Sequence, residues 1–139
     1  MKKTAALILV FIIIFQAFSP LSFAATESNK YIDSYSASIS KASNSTIQVS
    51  FNVYGTHYMD SIGSSIIYLY KDGSLFTVFS QSDPQYSANM FTTNALYFYG
   101  QVSYSNAPAG TYYAVVCFFA SDGTGTGSGT RSTGTITIP

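Results

Sequence analysis

Thr46-Ile47-Gln48-Val49-Ser50-Phe51-Asn52-Val53-Tyr54 alternates polar and apolar side chains without a break. Successive side chains of a strand point to opposite faces. Ile47, Val49, Phe51 and Val53 therefore share one face, and Gln48, Ser50 and Asn52 the other, the pattern of a half-buried strand. Working toward the N-terminus, Ala42-Ser43-Asn44-Ser45 is a turn, and Tyr31 to Ser40 alternates loosely as a preceding strand. Toward the C-terminus, Gly55 to Gly63 reads as a loop carrying the sole histidine, His57. Ser64 to Lys71 follows as a third strand, apolar on both faces. Asp72-Gly73 is a hairpin signal, because a type I′ turn needs positive φ at both central residues. Leu75 to Ser80 returns as a fourth strand, and Gln81 to Thr92 reads as a long loop. Leu96 to Tyr104 is a fifth strand, Asn106 to Gly110 a turn, Thr111 to Ala120 a sixth strand and Thr130 to Ile138 a seventh.

Seven strands bounded by turn residues, with no sustained helical period after residue 24, predict an all-β, antiparallel two-sheet sandwich. Its core should hold Phe51 and Val53 from one layer, and Tyr112, Ala114, Val116 and Phe118 from the other. The run Asp122 to Gly129 (DGTGTGSG) reads as a flexible hairpin loop. It lacks the glycine spacing, the lysine and the following helix of a phosphate cradle.

Residues 1–24 read as a signal peptide. Lys2 and Lys3 precede an apolar run from Ala5 to Phe15, and Ser22-Phe23-Ala24 places small side chains at the −3 and −1 positions of a cut before Ala25. Eleven apolar residues are too few to span a bilayer as a helix. The expected organisation is a leader at 1–24, a polar tail at 25–30 and one domain at 31–139. Beyond the leader, Lys30, Lys41, Lys71 and Arg131 stand against Glu27, Asp33, Asp60, Asp72, Asp83 and Asp122, a net charge of −2. So few, scattered cations argue against nucleic acid and anionic lipid as partners. Cys117 is the only cysteine, so no intrachain disulfide is available to an exported chain.

Gly110-Thr111-Tyr112-Tyr113-Ala114-Val115-Val116 resembles strand F of immunoglobulin-like and fibronectin type III domains. The resemblance implies that Tyr112 is the corner tyrosine, whose hydroxyl bonds back to the main chain. Ala114 stands where immunoglobulins carry their second cysteine, which excludes the disulfide variant. Ala120-Ser121-Asp122-Gly123 is similar to a fibronectin type III F–G loop. Met59-Asp60-Ser61-Ile62-Gly63, Ala109 to Val116, Phe118-Phe119-Ala120 and the Gly/Ser loop before Arg131 resemble small secreted immunoglobulin/fibronectin type III-like proteins of Gram-positive bacteria. That likeness covers most of 31–138 and implies fold, with no catalytic residue to transfer.

Little in the chain can carry chemistry. Cys117 and His57 are the only nucleophile–base pair available, and the immunoglobulin-like plan would bring their poles together. No orienting Asn or Asp and no oxyanion motif accompanies them, so no catalytic residue and no cofactor is expected. Asp60 and Asp122 could meet at the same pole, but two isolated carboxylates without a D-x-D spacing do not make a calcium loop, and no metal site is expected. The stronger hint is aromatic. Tyr97 and Tyr99 fall on one face of their strand, and Tyr113 and Phe119 on the core-averted face of theirs. Exposed tyrosines suit protein or sugar surfaces, because an apolar ring ends in a polar tip. The reading is a secreted, non-catalytic binding or adhesion module for an extracellular protein or glycan. Self-association as an extracellular structural protein is the second reading, and a Cys/His hydrolase the remote third.

Overall fold

The computed structural model describes residues 29–139. The leader read at 1–24 and residues 25–28 of the polar tail lie outside the described residues. The described residues are all-β, with seven antiparallel strands and one helical turn: β1(Ile32–Lys41), β2(Ile47–Lys71), β3(Ser74–Ser80), α1(Ser87–Met90), β4(Phe91–Tyr104), β5(Gly110–Ser121), β6(Thr126–Ser132) and β7(Ile136–Ile138). Asn29 and Lys30 belong to the folded unit rather than to a free tail. The Asn29 side chain accepts from the Tyr31 and Ile32 amides at 3.1 Å each, and the Lys30 carbonyl accepts from Thr56.

The alternating stretch at 46–54 does not end in a loop. It continues for 25 residues as β2, which overturns the loop expected at Gly55–Gly63. The first part of β2 lies between β1 and β4, from Ile47 opposite Lys41 and Tyr104 to Tyr54 opposite Ser34 and Tyr97. The last part lies between β3 and β5, with Tyr68 opposite both Val78 and Val115. Between them, Ser61 to Gly63 pair with the start of β4 and the end of β5. β2 therefore passes from one layer to the other, its register with β4 broken between Tyr54 and Met59 and resumed beyond, and the sheet curls into a sandwich-like shape. Burial explains why the segment stays in the sheet. Met59, Ile62 and Gly63 are buried there, and a loop would have surrendered that apolar area. Gly63 is required by a close approach, since a side chain there would collide with the Met90–Phe91 backbone.

The inner surface holds the predicted core. The Phe51 ring lies 6.0 Å from Phe98 and 5.9 Å from Phe118, joining the two layers. Along β5, Tyr112, Ala114, Val116, Phe118 and Ala120 are buried and the intervening residues half-buried, the period of two read from the sequence. The β2–β3 turn has Asp72 at φ 50° and Gly73 at φ 83°, as a type I′ hairpin needs. Tyr112 donates its hydroxyl proton to the Pro108 carbonyl at 2.6 Å, the corner contact that the strand F resemblance implied.

Two further loops are more ordered than expected. Within Gln81–Thr92, α1 packs against β4, and β4 begins at Phe91 rather than Leu96. Asp83 starts this turn by accepting from Tyr86 and Ser87 through its carbonyl and from Gln85 through its carboxylate. The glycine-rich run is not a flexible loop beyond Gly125. From Thr126 it is β6, paired with β5 from Ser121↔Thr126 to Val115↔Ser132, and the expected seventh strand divides into β6 and β7. Side chains at Gly125 or Gly127 would strike Tyr31, and at Gly129 the Tyr35 ring. Alternate glycines thus form a flat stripe on which two tyrosines of the N-terminal segment lie. Rings that cover backbone in this way compensate for the poor strand preference of glycine.

Candidate functional site

The outer face of β1, of the first part of β2 and of β4 carries an uncharged row of polar side chains that ends in tyrosines. Ser36 donates to Asn52 Oδ1 at 2.9 Å, and the Gln48 amide donates to Gln101 Oε1 at 2.8 Å. Next to this row, Tyr54 and Tyr97 are directly opposite one another and stack at 5.6 Å. Tyr99, opposite Asn52, completes the group. The three rings are 44%, 58% and 60% exposed in chain order, far more than large side chains usually leave to solvent. Tyr54 and Tyr97 stack on each other, whereas Tyr99 has no aromatic partner among the described residues. Tyr54 was missed in the sequence, although it has the same parity as Gln48, Ser50 and Asn52. Reading the strand as ending at that residue hid the signal.

Tyr113 and Phe119 belong elsewhere. They lie on the outer face of the β3, β2 and β5 layer, half-buried, with Val115 and Cys117 between them. Tyr113 stacks on Tyr70 at 4.8 Å with the rings 2° from parallel, and Phe119 meets Phe91 at 6.3 Å. The four aromatic residues singled out from sequence therefore occupy two faces rather than one. Their separation follows from layer membership, since β4 and β5 pair with different parts of β2 over most of their lengths.

At the pole where β2 changes layer, His57 and Asp122 meet. His57 Nε2 donates to Asp122 Oδ2 at 2.6 Å, and His57 Nδ1 contacts Thr56 Oγ1 at 3.0 Å. Asp122 Oδ1 accepts from the Thr124 hydroxyl at 2.6 Å and from the Thr124 amide at 2.9 Å. These bonds hold the Asp122 carboxyl well below the usual carboxylate range, the Thr124 hydroxyl contributing most, then the Thr124 amide, then His57. Tyr31 reaches the same turn through Thr124 at 3.4 Å, and Asp60 through its proximity to Gly123.

The Cys117–His57 pairing weighed from the sequence does not form. His57 is engaged with Asp122, and Cys117 lies five residues from Asp122 along β5, about 16 Å of strand. The Cys117 carbonyl accepts from Ser64 at 2.8 Å, and its half-buried thiol faces the outer surface between Ile66 and Thr130. Asp60 and Asp122 do share a pole, but both Asp122 oxygens are already engaged. Among the described residues no group of three or more His, Cys, Asp or Glu is placed to hold a metal ion, and no helix is long and apolar enough to cross a membrane. No family model matches the chain, and neither does any curated protein or solved structure.

Proposed function

We propose that the protein is a secreted, non-catalytic binding module that engages an extracellular protein or glycan at a cell surface or in the extracellular matrix. The observation that carries this reading is the exposed trio Tyr54, Tyr97 and Tyr99 beside an uncharged row of amides and hydroxyls. Rings with hydroxyl tips can cover apolar ligand surface and still satisfy ligand hydrogen bonds. The flanking Asn52, Gln48, Gln101 and Ser36 add both donors and acceptors. The leader-like residues 1–24 support export. The division of β2 between the β1–β4 and β3–β5 layers, together with the Tyr112 corner, supports an immunoglobulin/fibronectin type III-like plan. It is also consistent with the likeness to small secreted proteins of Gram-positive bacteria.

The test is an array of glycans and extracellular matrix proteins probed with the wild-type protein and with the Tyr97→Ala/Tyr99→Ala double variant. Ligands retained by the wild type should be lost by the variant while its thermal unfolding stays close to wild type, because both side chains are exposed. Equal binding by the two proteins would remove this face from consideration.

A further inference from the structure

We propose that two copies of this chain pair edge to edge through β6, antiparallel about a two-fold axis at Ser128. Among the described residues, β6 is paired as a strand with β5 alone, so its other edge carries a row of main-chain donors and acceptors. Such a row is matched by another extended strand. The orientation of the edge is marked by Asn29, whose side-chain amide donates to the Ser128 carbonyl at 2.9 Å. That carbonyl therefore points away from β5, and along an antiparallel strand the Thr126 and Thr130 groups point the same way. An open cleft of about 700 Å³ between β1 and β6, lined in part by Asn29, Tyr35 and Ser128, leaves this edge approachable.

The partner is indicated by the sequence of the edge itself. Thr126-Gly127-Ser128-Gly129-Thr130 reads the same in both directions. Under a two-fold axis at Ser128, Thr126 faces Thr130 of the second copy, Gly127 faces Gly129, and Ser128 faces its own counterpart. A closed dimer requires a self-complementary patch, and this strand supplies one. Thr–Thr and Ser–Ser pairs are favourable across antiparallel strands. No charge lies between Gly123 and Thr130, so the pairing sets no like charges opposite one another, and none of the usual edge guards is present there. The inner side is flat because Gly127 and Gly129 are covered by Tyr31 and Tyr35 of the same copy. Asn29 occupies the acceptor at the axis, so its side chain competes with the second copy. Five paired residues make a small interface, and the dimer is accordingly a weak one. It would place two tyrosine faces in one particle and increase avidity for a repetitive ligand. The dimer does not depend on the ligand assignment.

Sedimentation velocity of the protein under reducing conditions, from about 5 μM to about 1 mM, should show a reversible monomer–dimer equilibrium, the range in which weak interfaces dissociate. Ser128→Lys and Ser128→Glu each put like charges together at the axis and should raise the dissociation constant about tenfold or more. Mixing the two variants should restore dimerisation, because opposite charges then meet; misfolded variants could not do this. Asn29→Ser keeps an oxygen for the Tyr31 and Ile32 amides, removes the competing amide and should tighten the dimer. A wild type that stays monomeric throughout, or variants that dimerise as the wild type does, would overturn the proposal. So would single variants that remain monomeric when mixed. An Asn29→Ser protein with an unchanged dissociation constant would overturn the competition.

Discussion

The Tyr112 hydroxyl closes onto the Pro108 carbonyl at 2.6 Å, four residues back along the chain, with the ring fully buried at the junction of three strands. Phe76 of β3 meets the Tyr112 ring edge-on at 5.7 Å and also packs on Tyr104 of β4 at 5.0 Å. The bond thus pins the Asn106–Gly110 turn to the core rather than to the surface. Tyr112→Phe should lower stability by about 0.5–1.5 kcal/mol. A denaturant midpoint indistinguishable from wild type would show that the bond contributes nothing. Burial also raises the Tyr112 hydroxyl above its ordinary value of 10.0. A raised folded value favours folding fully below that ordinary value, and the contribution is lost as pH rises through the folded one. The stability gap between wild type and Tyr112→Phe should therefore narrow in strong alkali.

Gly63 and Gly134 form a matched pair for mutation. A side chain at Gly63 collides with the Met90–Phe91 backbone, whereas one at Gly134 meets nothing within 4 Å. Gly63→Ala should cost about 1–3 kcal/mol through forced backbone shifts. Gly134→Ala should stay within about 0.5 kcal/mol of wild type. Thermal unfolding of the two variants side by side makes the comparison, and equal midpoints would contradict the close approach at the β2 corner.

Asp122 should give the protein an acid-sensitive turn. Its carboxyl is depressed in the folded state, so its contribution is complete above the ordinary carboxylate value of 3.8 and disappears as pH falls through the lower folded value. The difference in melting temperature between wild type and Asp122→Asn should be steady at neutral pH and shrink in strong acid. Thr124→Ala removes the hydroxyl bond that lowers Asp122 most, and NMR titration should find the carboxyl moved up toward 3.8.

Cys117 should react with iodoacetamide slowly in the folded protein, because its thiol is half-buried among Ile66, Val115 and Phe119 and has no base beside it. His57→Ala should leave the labelling rate unchanged, since His57 is engaged with Asp122. Rapid labelling that vanishes in His57→Ala would restore the coupled pair.

The strands and the core were legible where one period ran uninterrupted. β5 shows this best, because Tyr112, Ala114, Val116 and Phe118 were assigned to the core by alternation and each is buried. The passage of β2 between layers was not legible. Gly55, His57, Asp60 and Gly63 carry turn chemistry, and it is long-range partners, Ile32, Phe91 to Thr93, Ala95 and Phe119 to Ser121, that hold that segment in the sheet. The same limit hid the glycine stripe. Gly125, Gly127 and Gly129 look flexible in isolation, and the rings that order them come from nearly a hundred residues earlier in the chain. Of the candidate binding face, Tyr97 and Tyr99 were visible as alternation. Their neighbour Tyr54, and the separation of Tyr113 and Phe119, depend on tertiary pairing that local pattern does not encode.

Because one strand is shared by both layers, neither layer can open as an independent unit. β2 is paired with β1 and β4 at one end and with β3 and β5 at the other. Releasing either end exposes the common core around Phe51 and Phe118. The slowest-exchanging amides of the two ends should therefore report a single opening free energy, that of global unfolding. A continuous β2 acts as a spine that makes the domain's unfolding all-or-none, a rigidity that protects the chain from proteases, since these cut mainly through opened states.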